Sequence, residues 1–282
     1  MTILDAFPFG SHHFEIGLIL RDSLLTSSML CNSEAWYNVT KNEMELLETV
    51  DTTLLRRILN APKYTAKEML YLELGCIPYR YLIKKRRLMF LFYILTQDTN
   101  SMIYKFFESQ KNHQTSKDWV TTITQDMKEL NIDKNFEEIK KMKKMEFKKL
   151  VTQKIQKWAL EKLEEMKNNH SKVKELKHEN FGLQKYLKHS NIKIKIEERQ
   201  LIFQLRSGIT NVKMNRKGMY EDLRCDACKE ENETQEHVLN CKILNKNENQ
   251  TIDFKKIRHG NIIDMVEIAK KFKENLEIRD KL

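Results

Sequence analysis

Helix breakers are scarce in this sequence. Its 282 residues include 7 glycines and 3 prolines, and the last proline is Pro78. A sheet-rich fold needs such residues at its many turns, so the composition points to long helices. Long apolar runs are missing too. The longest extends from Leu88 to Leu95, well short of the roughly 20 residues that span a bilayer. No membrane partner is expected. The first residues, Met1 to Pro8, lack the basic start and apolar core of a signal peptide.

Motifs of common chemistry are also absent. There is no P-loop, no Gly-x-Gly-x-x-Gly, no Gly-x-Ser-x-Gly and no His-Glu-x-x-His. Nucleotide hydrolysis, dinucleotide binding, esterase and zinc-protease chemistry therefore have no anchor here. No small-molecule substrate is expected. The five cysteines do not form a disulfide framework. Cys31 and Cys76 stand alone in apolar surroundings and are expected as buried thiols of a reducing compartment.

Positive charge and a cysteine–histidine cluster are what the chain does have. Its formal net charge is +10, with Lys+Arg of 50 against Asp+Glu of 40. The excess is concentrated between Lys140 and Lys177, where thirteen lysines face five glutamates. Such a run is either a solvated helix face or a surface for an acidic partner, most often nucleic acid. Lys140, Lys141, Lys143, Lys144, Lys148 and Lys149 are the candidate phosphate contacts. Trp158 and Tyr220 are candidates for base stacking, with a core position the simpler role for Trp158.

Cys225-x2-Cys228-x8-His237-x3-Cys241 places four soft ligands within seventeen residues. Three thiolates and an imidazole suit tetrahedral Zn²⁺ and leave no open position, so the site is expected to be structural. Thr234 reads as the N-cap of a short helix, which puts His237 and Cys241 one turn apart on one face.

Periodicity and capping signals organise the rest. His12 to Cys31 reads as an apolar-rich helix, with Phe14, Ile16, Leu20, Leu24 and Met29 as buried candidates. Thr40 and Glu43 form a capping box, as do Thr65 and Glu68. The first opens a helix to about Leu59 with Met44, Leu47, Val50, Leu54, Leu55 and Ile58 as its stripe. The second helix stops at Gly75, and Pro78 starts the next. That helix carries Lys84-Lys85-Arg86-Arg87, an exposed basic face or an import patch. Asn112 to Lys117 is the candidate hinge. Asp118 opens a helix to about Leu130. Phe136 to about His170 forms one long helix or two end to end, with Phe147, Val151, Ile155, Trp158, Leu163 and Met166 inward. Ser171 to Asn191 is a loose helical connector. A helix is favoured over a strand around Ile192 to Arg206, and Asn261 to about Leu276 is the last helix. The expected fold class is all-α: a multi-helix domain (1–111), a long basic connector (112–206), a small zinc module (207–245) and a helical tail (246–282).

Several segments, in this order, resemble one family. They are Asn32-Ser33-Glu34-Ala35-Trp36-Tyr37, Glu48-Thr49-Val50-Asp51 with Leu55-Arg56-Arg57-Ile58-Leu59, and Leu70-Tyr71-Leu72-Glu73-Leu74-Gly75. Arg86-Arg87-Leu88-Met89-Phe90-Leu91, Asp118-Trp119-Val120, Leu201-Ile202-Phe203-Gln204-Leu205-Arg206 and the cysteine–histidine block follow. Together they are similar to the C-terminal part of reverse transcriptases of non-long-terminal-repeat retrotransposons, especially insect-type elements, over roughly His12 to Cys241. The resemblance implies a thumb-like domain up to about Gln110, a basic connector, and a zinc knuckle ligated by Cys225, Cys228, His237 and Cys241 that helps hold template RNA or target DNA. The x8 interval is longer than the x4 of retroviral nucleocapsid knuckles, so their base recognition does not carry over.

The departures bear on activity. A polymerase palm uses clustered aspartates to hold two Mg²⁺ ions, two of them adjacent. No two aspartates are adjacent here, and no Pro-Asp nuclease motif follows Pro78. The expectation is a non-catalytic, nucleic-acid-binding C-terminal piece with structural Zn²⁺, Mg²⁺ belonging only to the parent polymerase. Its partners would be RNA or DNA and the missing fingers and palm, in nucleus or cytoplasm. The alternatives are a part of an active RNA-directed DNA polymerase that works when joined to its palm, and an inert transposon remnant.

Overall fold

The computed structural model describes residues 12–113, 115, 117–176, 178, 181–188, 194–245 and 251–281. Among them every regular element is a helix, and the one β-type pairing is a bridge between Arg224 and Asn232. The all-α expectation holds.

Helix α1 (His13–Leu20) continues through a π-helical stretch, Arg21–Thr26, and a last turn, Ser27–Met29. Phe14 is buried as expected, but Leu24 is exposed. Helix α2 (Lys41–Leu59) begins at the expected capping box. The Thr40 amide donates to Glu43 at 2.8 Å, and Thr40 Oγ1 accepts the Glu43 amide at 3.3 Å. The α2 face that turns inward is partly polar. Glu48, Asp51 and Thr52 are buried with Leu55, Ile58 and Leu59, whereas Val50 lies exposed. The buried acids have partners that explain this. Arg21 meets Asp51 with two bonds of 2.7 Å, and Arg80 meets Glu48 with two of 2.5 Å. Such bidentate pairs fix helix orientation as well as charge.

Helix α3 (Lys67–Leu74) is short, and Glu68 through Leu74 are all buried. The second expected capping box does not form. Ala66 is the N-cap, and Thr65 Oγ1 donates instead to the Pro62 carbonyl at 2.7 Å. Gly75 ends α3 with φ +66, and a Cβ there would lie 2.1 Å from the Gly182 backbone. Only glycine suits both that φ and that approach.

Helices α4 (Tyr79–Leu95), α5 (Met102–Asn112), α6 (Trp119–Glu129), α7 (Phe136–Lys141) and α8 (Lys144–Lys167) build a second core. Asp118 caps α6, accepting the Thr121 amide at 2.7 Å. The candidate hinge is short: Asn112 is still in α5, and positions 114 and 116 lie outside the described residues. The long basic helix is two helices. The chain extends at Met142 and Lys143, and an unforeseen capping box, Asn135 with Glu138, starts α7. The α8 stripe is Phe147, Val151, Ile155, Ala159 and Leu163, spaced by four. Trp158 is half-buried beside it, and Met166 is exposed.

The expected connector helix is replaced, in its described part, by turns. Helix α9 starts where the helix reading placed one, at Ile196–Ser207. Positions 192 and 193 lie outside the described residues. Helices α10 (Gln235–Asn240), α11 (Lys256–His259) and α12 (Ile262–Arg279) complete the chain. The main apolar cluster takes Phe14, Leu55 and Leu70 from the first helices, Leu176 and Leu187 from the connector, Phe203 from α9, Val238 from α10 and Phe272 from α12. It does not follow the boundaries at 111, 206 and 245.

Glu73 on α3 holds these parts together. Its carboxylate is fully buried and accepts from His178 Nε2 at 3.1 Å, Tyr186 OH at 2.7 Å and Arg206 Nε at 3.1 Å. Burial alone would raise its pKa, but the Arg206 charge and the His178 and Tyr186 contacts outweigh it and bring it to about 2. Arg206 also donates to the carbonyls of Ile257 and Arg258. His178 bridges onward to Glu164 at 2.7 Å. Burial opposes its protonation, yet the two carboxylates raise its pKa.

Two consequences are measurable by urea unfolding. Glu73→Ala leaves Arg206 buried without its counter-charge and should cost about 3–5 kcal/mol. Glu73 is depressed, so its contribution is present above its usual 4.5 and fades as pH falls toward about 2. His178 is raised, so its contribution is full below 6.5 and fades as pH rises through its folded pKa. The stabilisation from this cluster should therefore be greatest between about 4.5 and 6.5, and a Glu73→Gln chain should lose that maximum.

Candidate metal centre and basic face

The cysteine–histidine segment folds as a hairpin followed by a helical turn. The Cys225 amide donates to Glu231 O at 2.8 Å, and the Glu233 amide donates to Leu223 O at 2.8 Å. The tip closes with Lys229 in the left-handed region, φ 59. Thr234 then caps α10 as expected, accepting the His237 amide at 3.0 Å. Cys241 is the C-cap residue of α10 rather than part of the helix, with extended backbone.

These elements bring the four residues together. One ligand atom from each of Cys225, Cys228, His237 and Cys241 lies within 4.8 Å of all the others. The Cys225 and Cys241 sulfurs are 4.0 Å apart, and Cys228 Sγ is 3.4 Å from His237 Nε2. A tetrahedral ion bound at ~2.3 Å by sulfur and ~2.0 Å by nitrogen needs ligand separations of about 3.5–3.8 Å. The donor set suits a closed, four-coordinate metal site, and the four ligand atoms lie within about 1 Å of that spacing. Cys225 and Cys241 are buried, and burial pushes the Cys225 thiol up to about 11. Burial also raises Cys228, but the amides of Glu231 and Glu230 and the His237 contact outweigh it, leaving about 7.

Glu231 is a partner that the ligand pattern did not reveal. Its carboxylate lies 3.1 Å from His237 Nδ1, on the far side of the ring from the sulfurs. That contact selects the tautomer whose Nε2 lone pair faces the site. The signal was present as an acid six residues before the histidine, but only the hairpin brings it alongside.

The site is anchored in the fold. Glu233 is fully buried and meets Arg279 of α12 at 2.7 Å. Asn275 of α12 donates to Val238 O at 2.8 Å, and Gln235 donates to Thr210 Oγ1 at 2.7 Å.

The candidate lysines lie at the α7–α8 junction. Lys141, Lys143, Lys144, Lys148 and Lys149 are exposed. Lys140 is half-buried, with its amine 5.2 Å from the Tyr104 ring centre. None of the six forms an ion pair among the described residues. Farther along α8, Lys157, Lys162 and Lys167 pair with Glu161, Glu165 and Glu164, and Lys154 donates to the Asn131 carbonyl at 2.7 Å. Trp158 meets Tyr81 edge-on at 4.7 Å with Lys84 over its ring, which is a packing role. Tyr220 stays exposed, with Lys213 at 5.8 Å.

The basic run Lys84 to Arg87 is not one uniform exposed face: Arg87 is buried and the other three are half-buried. Lys84 and Arg87 both bind Asp126 at 2.7 Å and hold α4 to α6. Lys85 and Arg86 line a groove, and Arg86 also donates to the Leu30 carbonyl. The two lone cysteines also divide. Cys76 is buried, its thiol pushed by burial to about 12, but Cys31 is exposed, contrary to expectation. No described helix is long and apolar enough to cross a membrane.

Comparison of the chain with protein-family models, with curated proteins and with solved structures found no match.

The metal geometry makes one prediction at Glu231. Glu231→Ala should weaken metal affinity by about ten- to a hundredfold, measured by competition with a chromophoric chelator, while leaving one ion per chain at saturation. Cys228→Ser removes a ligand and should weaken it further.

Proposed function

We propose that this chain is a non-catalytic nucleic-acid-binding module whose fold is stabilised in part by a structural Zn²⁺ ion. The observation that carries the reading is the patch of exposed, unmatched lysines at the α7–α8 junction. Phosphates are the natural counter-charge for such a patch, and binding through them is salt-dependent and largely blind to sequence. The resemblance of ordered segments to the C-terminal part of retrotransposon reverse transcriptases supports the same role, with RNA or DNA as partner.

The four metal ligands would hold Zn²⁺ with no position left for water, so the ion would brace the hairpin against α10 and supply no chemistry to a substrate. Protein purified without chelator should carry one equivalent of zinc by elemental analysis. Removing the ion should lower the melting temperature. A metal content near zero after refolding with excess zinc would sink the assignment.

The lysines are tested by RNA binding across a salt series. Replacing Lys141, Lys143, Lys148 and Lys149 with glutamine should weaken binding and reduce the slope of log affinity against log salt by about 0.7 for each phosphate no longer neutralised. Unchanged affinity and slope would overturn the reading.

A further inference from the structure

A groove of about 790 Å³ runs beside the basic face, between the π-helical part of α1, the outer side of α4 and the start of α8. Lys85, Met89 and Tyr93 lie four residues apart and form one ridge along it. Arg86 and Phe90 stand beside them, and Lys144 closes the α8 end. Lys148 lies near enough that its charge, after burial, helps depress the Lys85 amine. Of the two acids that line the groove, Asp22 is bound by Arg21 at 3.0 Å. Glu34 is the other. Positive charge therefore predominates.

The groove also presents an aromatic shelf. The Phe90 and Tyr93 rings are stacked, 5.9 Å apart and within 11° of parallel. Phe90 is fixed from behind by Trp119, edge-on at 5.6 Å, and the Trp119 indole donates to Glu34 O at 2.8 Å. Tyr93 is 51% exposed, and Phe90 is the ring stacked against it among the described residues.

We infer that this groove takes a single-stranded segment of RNA or DNA, with a base stacked on Tyr93 and phosphates against Lys85, Arg86 and Lys144. A base in a duplex is already stacked on both sides, so only an unpaired strand can use an open aromatic face. Cations on both walls keep the backbone within reach while the shelf holds the base. The inference rests on nucleic-acid binding as proposed above and narrows it to a strand type and a place.

The test uses the full, zinc-loaded chain and fluorescence anisotropy with labelled oligo(U), oligo(dT) and a hairpin duplex across a salt series. Tyr93→Ala should weaken single-strand binding about tenfold or more and leave duplex binding unchanged. Tyr93→Phe, which keeps the ring, should bind like the wild type. Lys85→Gln with Lys144→Gln should reduce the salt slope by roughly 1.4. The ratio of oligo(U) to oligo(dT) affinity identifies the preferred strand. If Tyr93→Ala binds single strands as well as the wild type while replacing Lys141, Lys143, Lys148 and Lys149 still weakens them, the groove assignment falls and the basic face stands. If the wild type binds no oligonucleotide at low salt, both fall.

Discussion

The Glu73 carboxylate is the constraint on which the arrangement of this chain depends. It is fully buried in α3, a helix enclosed on nearly every side. A carboxylate in that position is tolerated only when its charge is matched and its oxygens are bonded. The three groups that do so come from distant sequence: His178 and Tyr186 from the connector and Arg206 from α9. Any arrangement that withdrew the connector or α9 from α3 would strand a charge in an apolar core. The network thus specifies position as much as it stabilises, and it ties His178 and Tyr186 of a loosely patterned connector to the core.

The candidate metal centre depends on that placement. Arg206 and Ser207 end α9, and the chain from Gly208 reaches the hairpin through a short 3-10 helical stretch, Lys213–Met219. Gln235 of α10 returns to Thr210, while Arg279 and Asn275 of α12 hold Glu233 and the Val238 carbonyl. A bound ion would close the hairpin on α10, and these contacts carry that closure into the shared core. Cys225 and Cys241 belong to the same apolar cluster as Phe14 and Leu55. This cysteine–histidine segment is therefore part of the shared core rather than an appendage.

Much of the local structure was legible because its causes are local. Thr40 and Glu43 lie next to the backbone groups they cap, and the four-residue spacing of Phe147 to Leu163 marks a face without reference to anything else. The ligand spacing of the metal site is local in the same sense, since one hairpin and one helical turn suffice to gather it. Errors arose where two local options compete. Thr65 has the same box pattern as Thr40, but the Pro62 carbonyl takes its hydroxyl first. The break between α7 and α8 falls in a lysine run with no proline or glycine, so composition gave no stop signal. What could not be read at all was long-range pairing. Glu73 and Arg206 are 133 residues apart, and nothing near Lys84 or Arg87 announces Asp126 as their partner. That pairing is why half of a uniform basic cluster is structural and half faces a groove.

Net charge alone would treat all the lysines of the α7–α8 region alike, yet the helix ends distinguish them. Lys140 and Lys141 stand in the last turn of α7, where a cation complements the helix dipole. Lys143 and Lys144 stand at the cap and first position of α8, where the dipole disfavours a cation by about 0.3–1 kcal/mol. Lys144 and Lys148 add a like-charge pair at i,i+4, unfavourable by a few tenths more. Glu146 is the one acid in that first turn. The fold therefore carries positive charge where its own electrostatics oppose it, beside a groove whose cations outnumber its acids. An anion placed there would find amides of a helix start and uncompensated ammonium groups together, and it would relieve the repulsion that the free protein sustains. That local opposition, rather than the total of +10, is the stronger physical reason to place a polyanion on this face.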